Sequence, residues 1–346
     1  MYDHKKGFTC SPVLMRELRG DYEDIVIRGN IAVVGENGLA AYLGYPYQQA
    51  FYRSAAKPIQ TLPFVGLGLH QKYHFTPEEI AMMGASHLGE PVHVALAQSM
   101  MDKTGFTEED MIMGAVYPHS RAEMKRLASQ KAPKRRIYHN CSGKHLGMLA
   151  TSRELGDPPG SYFKVENAMG QESLRYLSCF CDLPPADIGI AVDGCGVPIF
   201  RVPLFHMALS YLRLARPELL HDNTIAEAAR IMTEAYHHAP YVVRGYNTLC
   251  EIINSDPNLV GKLGAGGVYC IGLKKEKLGI ALKTEDGNLD CLPMVVNHLL
   301  QELGYDNTAL YQSLKGIIDP SVRNDAGLIV GQKLCDFHLT SAQSSI

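Results

Sequence analysis

Ser54 and Lys57 stand three residues apart in the stretch Arg53-Ser54-Ala55-Ala56-Lys57, directly ahead of the apolar run 58–69. On a single helical turn a hydroxyl and an amine so spaced face the same side. A serine hydroxyl is a poor nucleophile until a base takes its proton. A lysine partly withdrawn from water loses its own proton and becomes such a base. The pair suggests acyl transfer through a serine ester. Four further clusters carry reactive side chains. Residues 84–93 crowd Ser86, His87, Glu90 and His93 together, and residues 139–145 hold His139, Cys141, Lys144 and His145. Residues 193–198 hold Asp193 and Cys195 in a glycine-rich turn, and residues 262–267 set Lys262 among glycines.

These clusters admit rival chemistries. Cys141 with His139 or His145 is a thiol nucleophile pair of the usual kind; buried, unreactive cysteine is the plain alternative. Residue types alone leave serine, thiol and neither open. A phosphate loop is excluded, because histidine follows Lys144 where that motif needs serine or threonine. The glycines after Lys262 lack the strand and helix context of a dinucleotide site and read as a tight turn. Cys141 and Cys195 supply two thiolates, too few for a closed four-cysteine zinc site. A zinc site completed by His, Lys, Asp or water stays open.

The elements that must position these residues follow from local pattern. Residues 25–34, Asn37-Gly38 and residues 39–44 read as a hairpin. Thr76-Pro77-Glu78-Glu79 is a helix start with a threonine cap and a glutamate at the third position. Helices are expected over 91–104, 148–155, 166–177, 204–214, 224–237 and much of 290–316. Residues 188–192 read as a short buried strand leading into Asp193. Residues 267–273 and 278–284 form a second hairpin. Such an order is α+β, not the regular alternation of a dinucleotide fold. The two hairpins are expected to pair into one antiparallel sheet under the terminal helix, with a helical insertion between them.

At 346 residues and 46% hydrophobic, the chain has enough apolar content for a large core. A net charge of −3 and a single short basic run, 131–136, argue against nucleic acid. No run approaches the roughly 20 apolar residues of a membrane span. The polar start has no signal-peptide core, so a cytoplasmic protein is expected. Nine cysteines, an odd number in a long chain, argue against a disulfide framework.

Four motifs, RSAAKP (53–58), ASHLGEPVH (85–93), NCSGKHLGML (140–149) and DGCGVP (193–198), resemble the signatures of the bacterial L-asparaginase II family of the rhizobial, thermolabile type. The resemblance runs from about residue 20 to about residue 330. It implies a fold like that of serine β-lactamases and serine glutaminases: an antiparallel sheet flanked by helices, with a helical subdomain. One domain over 1–340 is then expected, with an α/β part at about 15–60 and 250–335 and a mostly helical middle at about 61–249. The resemblance also implies hydrolysis of L-asparagine to L-aspartate and ammonia. Ser54 resembles the nucleophile, Lys57 its base, Ser86 the neighbouring hydroxyl and Lys262 a second active-site lysine. Arg53, His87 and Asp193 fall to substrate binding. Cys141, Lys144 and Cys195 resemble the ligands of a zinc ion that orients substrate without activating water. A homodimer acting on a small amino-acid amide is the expected assembly.

The chain departs from the family pattern at several places. Ile27 stands where a histidine is usual, Gly266 where an acid is usual, and Arg244-Gly245-Tyr246-Asn247 replaces a Gly-x-Gly-Arg stretch. A His-Pro-x-Gln stretch gives way to Asn167-Ala168-Met169-Gly170-Gln171. The alternative function is therefore an altered-specificity or non-catalytic amino-acid-binding protein on the same scaffold. A β-lactamase-like acylase is disfavoured by the missing Ser-Asp-Asn and Lys-Thr-Gly companions.

Overall fold

A computed structural model describes residues 10–342. Its main sheet grows from one long strand. After β1 (Val13–Arg19), β2 (Tyr22–Gly35) pairs with β1 along its first half and with β3 (Gly38–Leu43) along its second. The hairpin turn is Glu36-Asn37, one residue earlier than the Asn37-Gly38 expected, because Gly35 and Gly38 are themselves paired. Small residues alternating with Ile31 and Val33 let β2 bury both faces of this half.

Two short strands follow elsewhere. β4 (Gln49–Phe51), β5 (Gly189–Val192) and β6 (Pro198–Pro203) make a separate three-stranded antiparallel sheet in the order β4-β6-β5. The expected buried strand at 188–192 is thus an edge strand, with Val192 74% exposed. Its apolar run reads like a core strand, but only one neighbour covers it.

The second predicted hairpin is present as β8 (Val268–Leu273) and β9 (Leu278–Thr284), preceded by β7 (Leu259–Gly264). β9 pairs with β2, joining the two hairpins as expected. β10 (Ser321–Arg323), β11 (Ile329–Leu334) and β12 (Thr340–Ser341) complete the sheet in the order β10-β11-β1-β2-β9-β8-β7, with β12 on β3. All pairings are antiparallel. The helix Leu204–Ala215 packs across β2, β8 and β9, so a face of the sheet is covered from the middle of the chain.

The other helices pack beside it. Thr76 caps Pro77–Met83 through a reciprocal box with Glu79, as the motif predicts. Helices Pro91–Thr104, Ala168–Cys181 and Asn223–His238 match their expected spans closely. The apolar run after Lys57 folds as three short helical pieces, Lys57–Gln60, Leu62–Gly66 and Leu69–Lys72. Pro58 and Pro63 each start a piece, since proline fits the first turn and not the interior. Among the described residues no helix is long and apolar enough to cross a membrane.

Candidate active site

Ser54 leaves β4 on a one-turn 3-10 helix, Arg53–Ala56, that runs straight into the helix of Lys57. Arg53 itself sits at φ 51°, in the left-handed region that a residue carrying a Cβ enters only at a cost. An ion pair holds it there: Arg53 Nε lies 2.9 Å from Asp193 Oδ1. Asp193 ends β5 in a tight turn, where its own carboxylate also accepts from Gly194 N at 2.8 Å. The small sheet therefore fixes both ends of the pair, and the pair fixes the turn that presents Ser54.

Lys57 and Lys262 converge on Ser86. Lys57 Nζ donates to Ala85 O at 2.7 Å and Asn140 O at 3.1 Å, and lies 3.0 Å from Ser86 Oγ. Lys262 Nζ lies 2.9 Å from the same oxygen and 2.8 Å from Leu263 O. Both lysines are buried, and no carboxylate salt-bridges either among the described residues. Burial is the main cause that lowers both amines, and it takes Lys262 down to about 7. Ser54 is half-buried, and its hydroxyl bonds to neither lysine among the described residues. Ser86 is 3% exposed. One hydroxyl is open and the other sits inside a pair of amines.

The approach of β7 to this turn depends on a missing side chain. A Cβ on Gly264 would lie 2.4 Å from Tyr52 O and 3.3 Å from Ala55 N, so only glycine lets β7 close on the Ser54 turn. The glycine-rich run around Lys262 is thus a strand and its turn, not a free loop. Gly143 does the same on the opposite side. Its Cβ would fall 2.3 Å from Met82 O, so the helix Ser142–Glu154 lies directly against the segment that ends at Ser86.

The second cluster comes together as a thiol pair with a cation. Lys144 Nζ donates to Cys195 Sγ at 3.2 Å, Cys195 Sγ donates to Asp193 Oδ2 at 3.9 Å, and Cys141 Sγ donates to Asn140 Oδ1 at 3.3 Å. Lys144, Cys141 and Cys195 are all buried. The neighbouring Cys195 thiol, then the Lys57 and Lys144 charges, pull the Cys141 thiol well below its ordinary value against the opposing effect of burial. The neighbouring Cys141, then burial, pushes Cys195 up. The opposite shifts belong to the pair, which favours one thiolate over two. Burial works against the Lys144 ammonium, but the thiols and Asp193 outweigh it and raise its pKa.

This arrangement does not fit the zinc ion that the motifs imply. Zinc needs donors with a free lone pair, thiolates and neutral nitrogens among them. Here Cys141, Cys195 and Asp193 together favour the ammonium form of Lys144, and the Asp193 Oδ1 is occupied by Arg53 and Gly194. Among the described residues no group of three or more His, Cys, Asp or Glu side chains could hold a metal ion. The expected ligands Cys141, Lys144 and Cys195 do meet, but as an ammonium–thiolate cluster, and the expectation of zinc is corrected accordingly.

His87, expected among the substrate-binding residues, is fully buried. Its Nδ1 accepts from Gly89 N at 3.1 Å and its Nε2 lies 2.9 Å from Ser142 Oγ. Both ring nitrogens are committed, and burial first, then the charges of His93 and Lys57, hold the ring neutral. It braces the Ser86 segment against the helix of Lys144 and has no nitrogen left for a ligand. Arg244 was legible only as a departure from a motif, yet it reaches the centre. Its Nη1 lies 3.5 Å from Ser86 O.

Comparison with known proteins supplies the family. The model of the family described as L-asparaginase II matches residues 15–334. The chain belongs to the L-asparaginase II family. That makes it a member of an amidohydrolase family, with the mixed fold expected: an antiparallel sheet flanked by helices. No curated protein sequence matches this L-asparaginase II chain. Solved structures similar to it include Mglu in its native form, at 13% identity over 82% of this chain and 63% of that one, TM-score 0.46. This chain thus spans under two thirds of the Mglu length. Others are a β-lactamase from Mycobacterium bovis, at 17% identity over 79% and 94% of the two chains, TM-score 0.39. A probable glutaminase from Bacillus subtilis complexed with 6-diazo-5-oxo-L-norleucine follows, at 15% identity over 79% and 83%, TM-score 0.37.

Proposed function

We propose that this protein hydrolyses the side-chain amide of L-asparagine, through an ester on Ser54. The observation that carries the reading is the meeting of two buried amines, Lys57 and Lys262, at one serine oxygen beside an open serine. A hydroxyl between two amines of lowered pKa passes protons in either direction at neutral pH.

Access divides the roles. Ser54 is half-exposed and stands on the strained turn, so it attacks the amide carbon. Lys57, in its neutral form, takes the Ser54 proton. Ser86 then relays a proton from the lysines to the leaving nitrogen, which departs as ammonia. Water next attacks the Ser54 ester, giving up its proton to Lys57, and aspartate leaves. The Ser54 ester forms as the C–N bond breaks, and it is cleaved as the carboxylate forms, so the serine is returned.

The test is a covalent trap. The diazoketone analogue of asparagine, 5-diazo-4-oxo-L-norvaline, should alkylate one serine, located by peptide mass spectrometry. An adduct on Ser54, with ammonia released from L-asparagine by the untreated protein, supports the assignment. An adduct on Ser86 or Cys141 refutes it.

A further inference from the structure

An amino-acid amide brings a carboxylate into this site, and something must meet it. The cations nearest the two serines are mostly spent. Arg53 is paired with Asp193, Lys144 faces Cys195, and Lys57 and Lys262 are turned onto Ser86 and backbone carbonyls. Arg244 is different. Its side chain is partly buried, it has no carboxylate partner among the described residues, and the one hydrogen bond it makes there is the long contact to Ser86 O. A guanidinium has five N–H donors in a flat fork that suits two carboxylate oxygens at once. A partly desolvated cation without a counter-ion is costly to keep, and an arriving anion removes that cost.

The backbone fixes where the fork stands. Ser86 N donates to Val243 O at 2.9 Å, and Leu88 N donates to Arg244 O at 2.8 Å. The two segments are thus stitched together, with Ser86 and Arg244 on adjacent rungs. A Cβ on Gly245 would lie 2.8 Å from Leu88 Cδ1, so the chain beyond Arg244 stays pressed on the same segment. Tyr241 and Tyr246 stack at 5.1 Å between centroids and brace the loop from outside. The Arg244 charge also bears on Lys262, where it adds to the larger effect of burial.

Building on the amide-hydrolysis reading above, we propose that Arg244 binds the substrate α-carboxylate and selects free amino-acid amides over amides without that group. Arg53, in this arrangement, shapes the Ser54 turn and does not hold substrate.

Rates of ammonia release are compared for L-asparagine and for 3-aminopropanamide, the same amide without its carboxylate, with Arg244→Gln and Arg244→Lys beside the native protein. Calorimetric titration of the product L-aspartate runs in parallel. Arg244→Gln should lose about 100-fold in kcat/KM on asparagine, chiefly through KM, and at least tenfold less on 3-aminopropanamide, as expected for a lost charge-assisted carboxylate contact. Its aspartate affinity should fall at least tenfold, and Arg244→Lys should recover part of both. Equal losses on the two amides, or aspartate affinity unchanged in Arg244→Gln, overturn the assignment. Native protein that binds aspartate but releases no ammonia defeats the hydrolytic reading alone, and the titration then decides Arg244 by itself. Native protein that does not bind aspartate overturns the Arg244 assignment. Should Arg244→Gln not fold, Arg244→Lys with the same measurements decides.

Discussion

Lys262 lies 2.9 Å from the Ser86 hydroxyl across 176 residues of sequence, and Lys57 lies 3.0 Å from the same atom across 29. One oxygen therefore ties the first helices, the loop after Pro77–Met83 and the edge strand β7. Each tie bears on a measurable property.

Lys262 sets a pH dependence of two kinds. Burial brings its amine down to about 7 from the ordinary 10.5. Ser86 can pass a proton on to Lys262 only when that amine is neutral, so kcat/KM should fall as pH drops through about 7, and Lys262→Met should lose that limb together with most of the activity. Stability runs in the same sense. Between about 7 and 10.5 the unfolded chain binds a proton that the folded chain has released, so stability rises with pH across this window. Lys262→Met has no buried amine to discharge. Its melting temperature should exceed the native one most at pH 6, with the gap closing towards pH 10; a gap independent of pH would contradict the low value.

Ser54 and Ser86 should separate by what survives. Ser54→Ala should lose turnover by at least 1,000-fold and take no covalent label, since no nucleophile remains. Ser86→Ala should lose roughly 100- to 10,000-fold, the scale of a lost proton relay, while Ser54 still takes the label. Labelling that vanishes in Ser86→Ala and persists in Ser54→Ala would reverse the two roles.

Gly264 tests the packing beneath the site. The added Cβ of Gly264→Ala meets backbone at Tyr52, which cannot swing aside as a side chain could. About 1–3 kcal/mol of stability should go, with the Ser54 turn displaced. Thermal denaturation and ammonia release should fall together. The same change at Gly304, which has open space around it, should leave turnover as it was and cost only the backbone strain of its φ of 68°.

The thiol cluster should behave as an ion pair and not as a metal site. Extended dialysis against a chelator should leave melting temperature and turnover unchanged, and metal analysis should find well under one zinc per chain. Lys144→Met leaves a buried thiolate without its cation, which should cost about 3–5 kcal/mol. Its thiolate absorbance near 240 nm should vanish at a higher pH than in the native protein, because Lys144 is one of the charges holding the Cys141 thiol down.

What the sequence disclosed was local. Ser54 and Lys57 are close along the chain, and a turn is enough to join them. The Thr76 box and most helices were legible because caps and apolar spacing act within a few residues. Lys262 was legible through its motif, but its strand was not. Glycines that serve a close approach look the same in sequence as glycines that serve a turn, and Gly264 needed Tyr52 in place to show which it was. β5 was misjudged as buried because apolar content says what a strand can tolerate, not how many neighbours cover it. Cys141 and Cys195 were expected to meet and do; among the described residues no group of three or more His, Cys, Asp or Glu forms around them to hold a metal, and that depends on a spatial arrangement no motif records. Arg244 escaped notice because its place is set by backbone pairing of Val243 and Arg244 with Ser86 and Leu88, far earlier in the chain.

The convergence on Ser86 has a consequence in time. Contacts so distant in sequence cost loop-closure entropy before they return anything, and they form late in folding. During refolding, helical structure should reappear before any ammonia is released, because Lys262 reaches the hydroxyl only once β7 has docked on β8 and on the Ser54 turn. Turnover in this chain is then a clock for the final closure of its sheet.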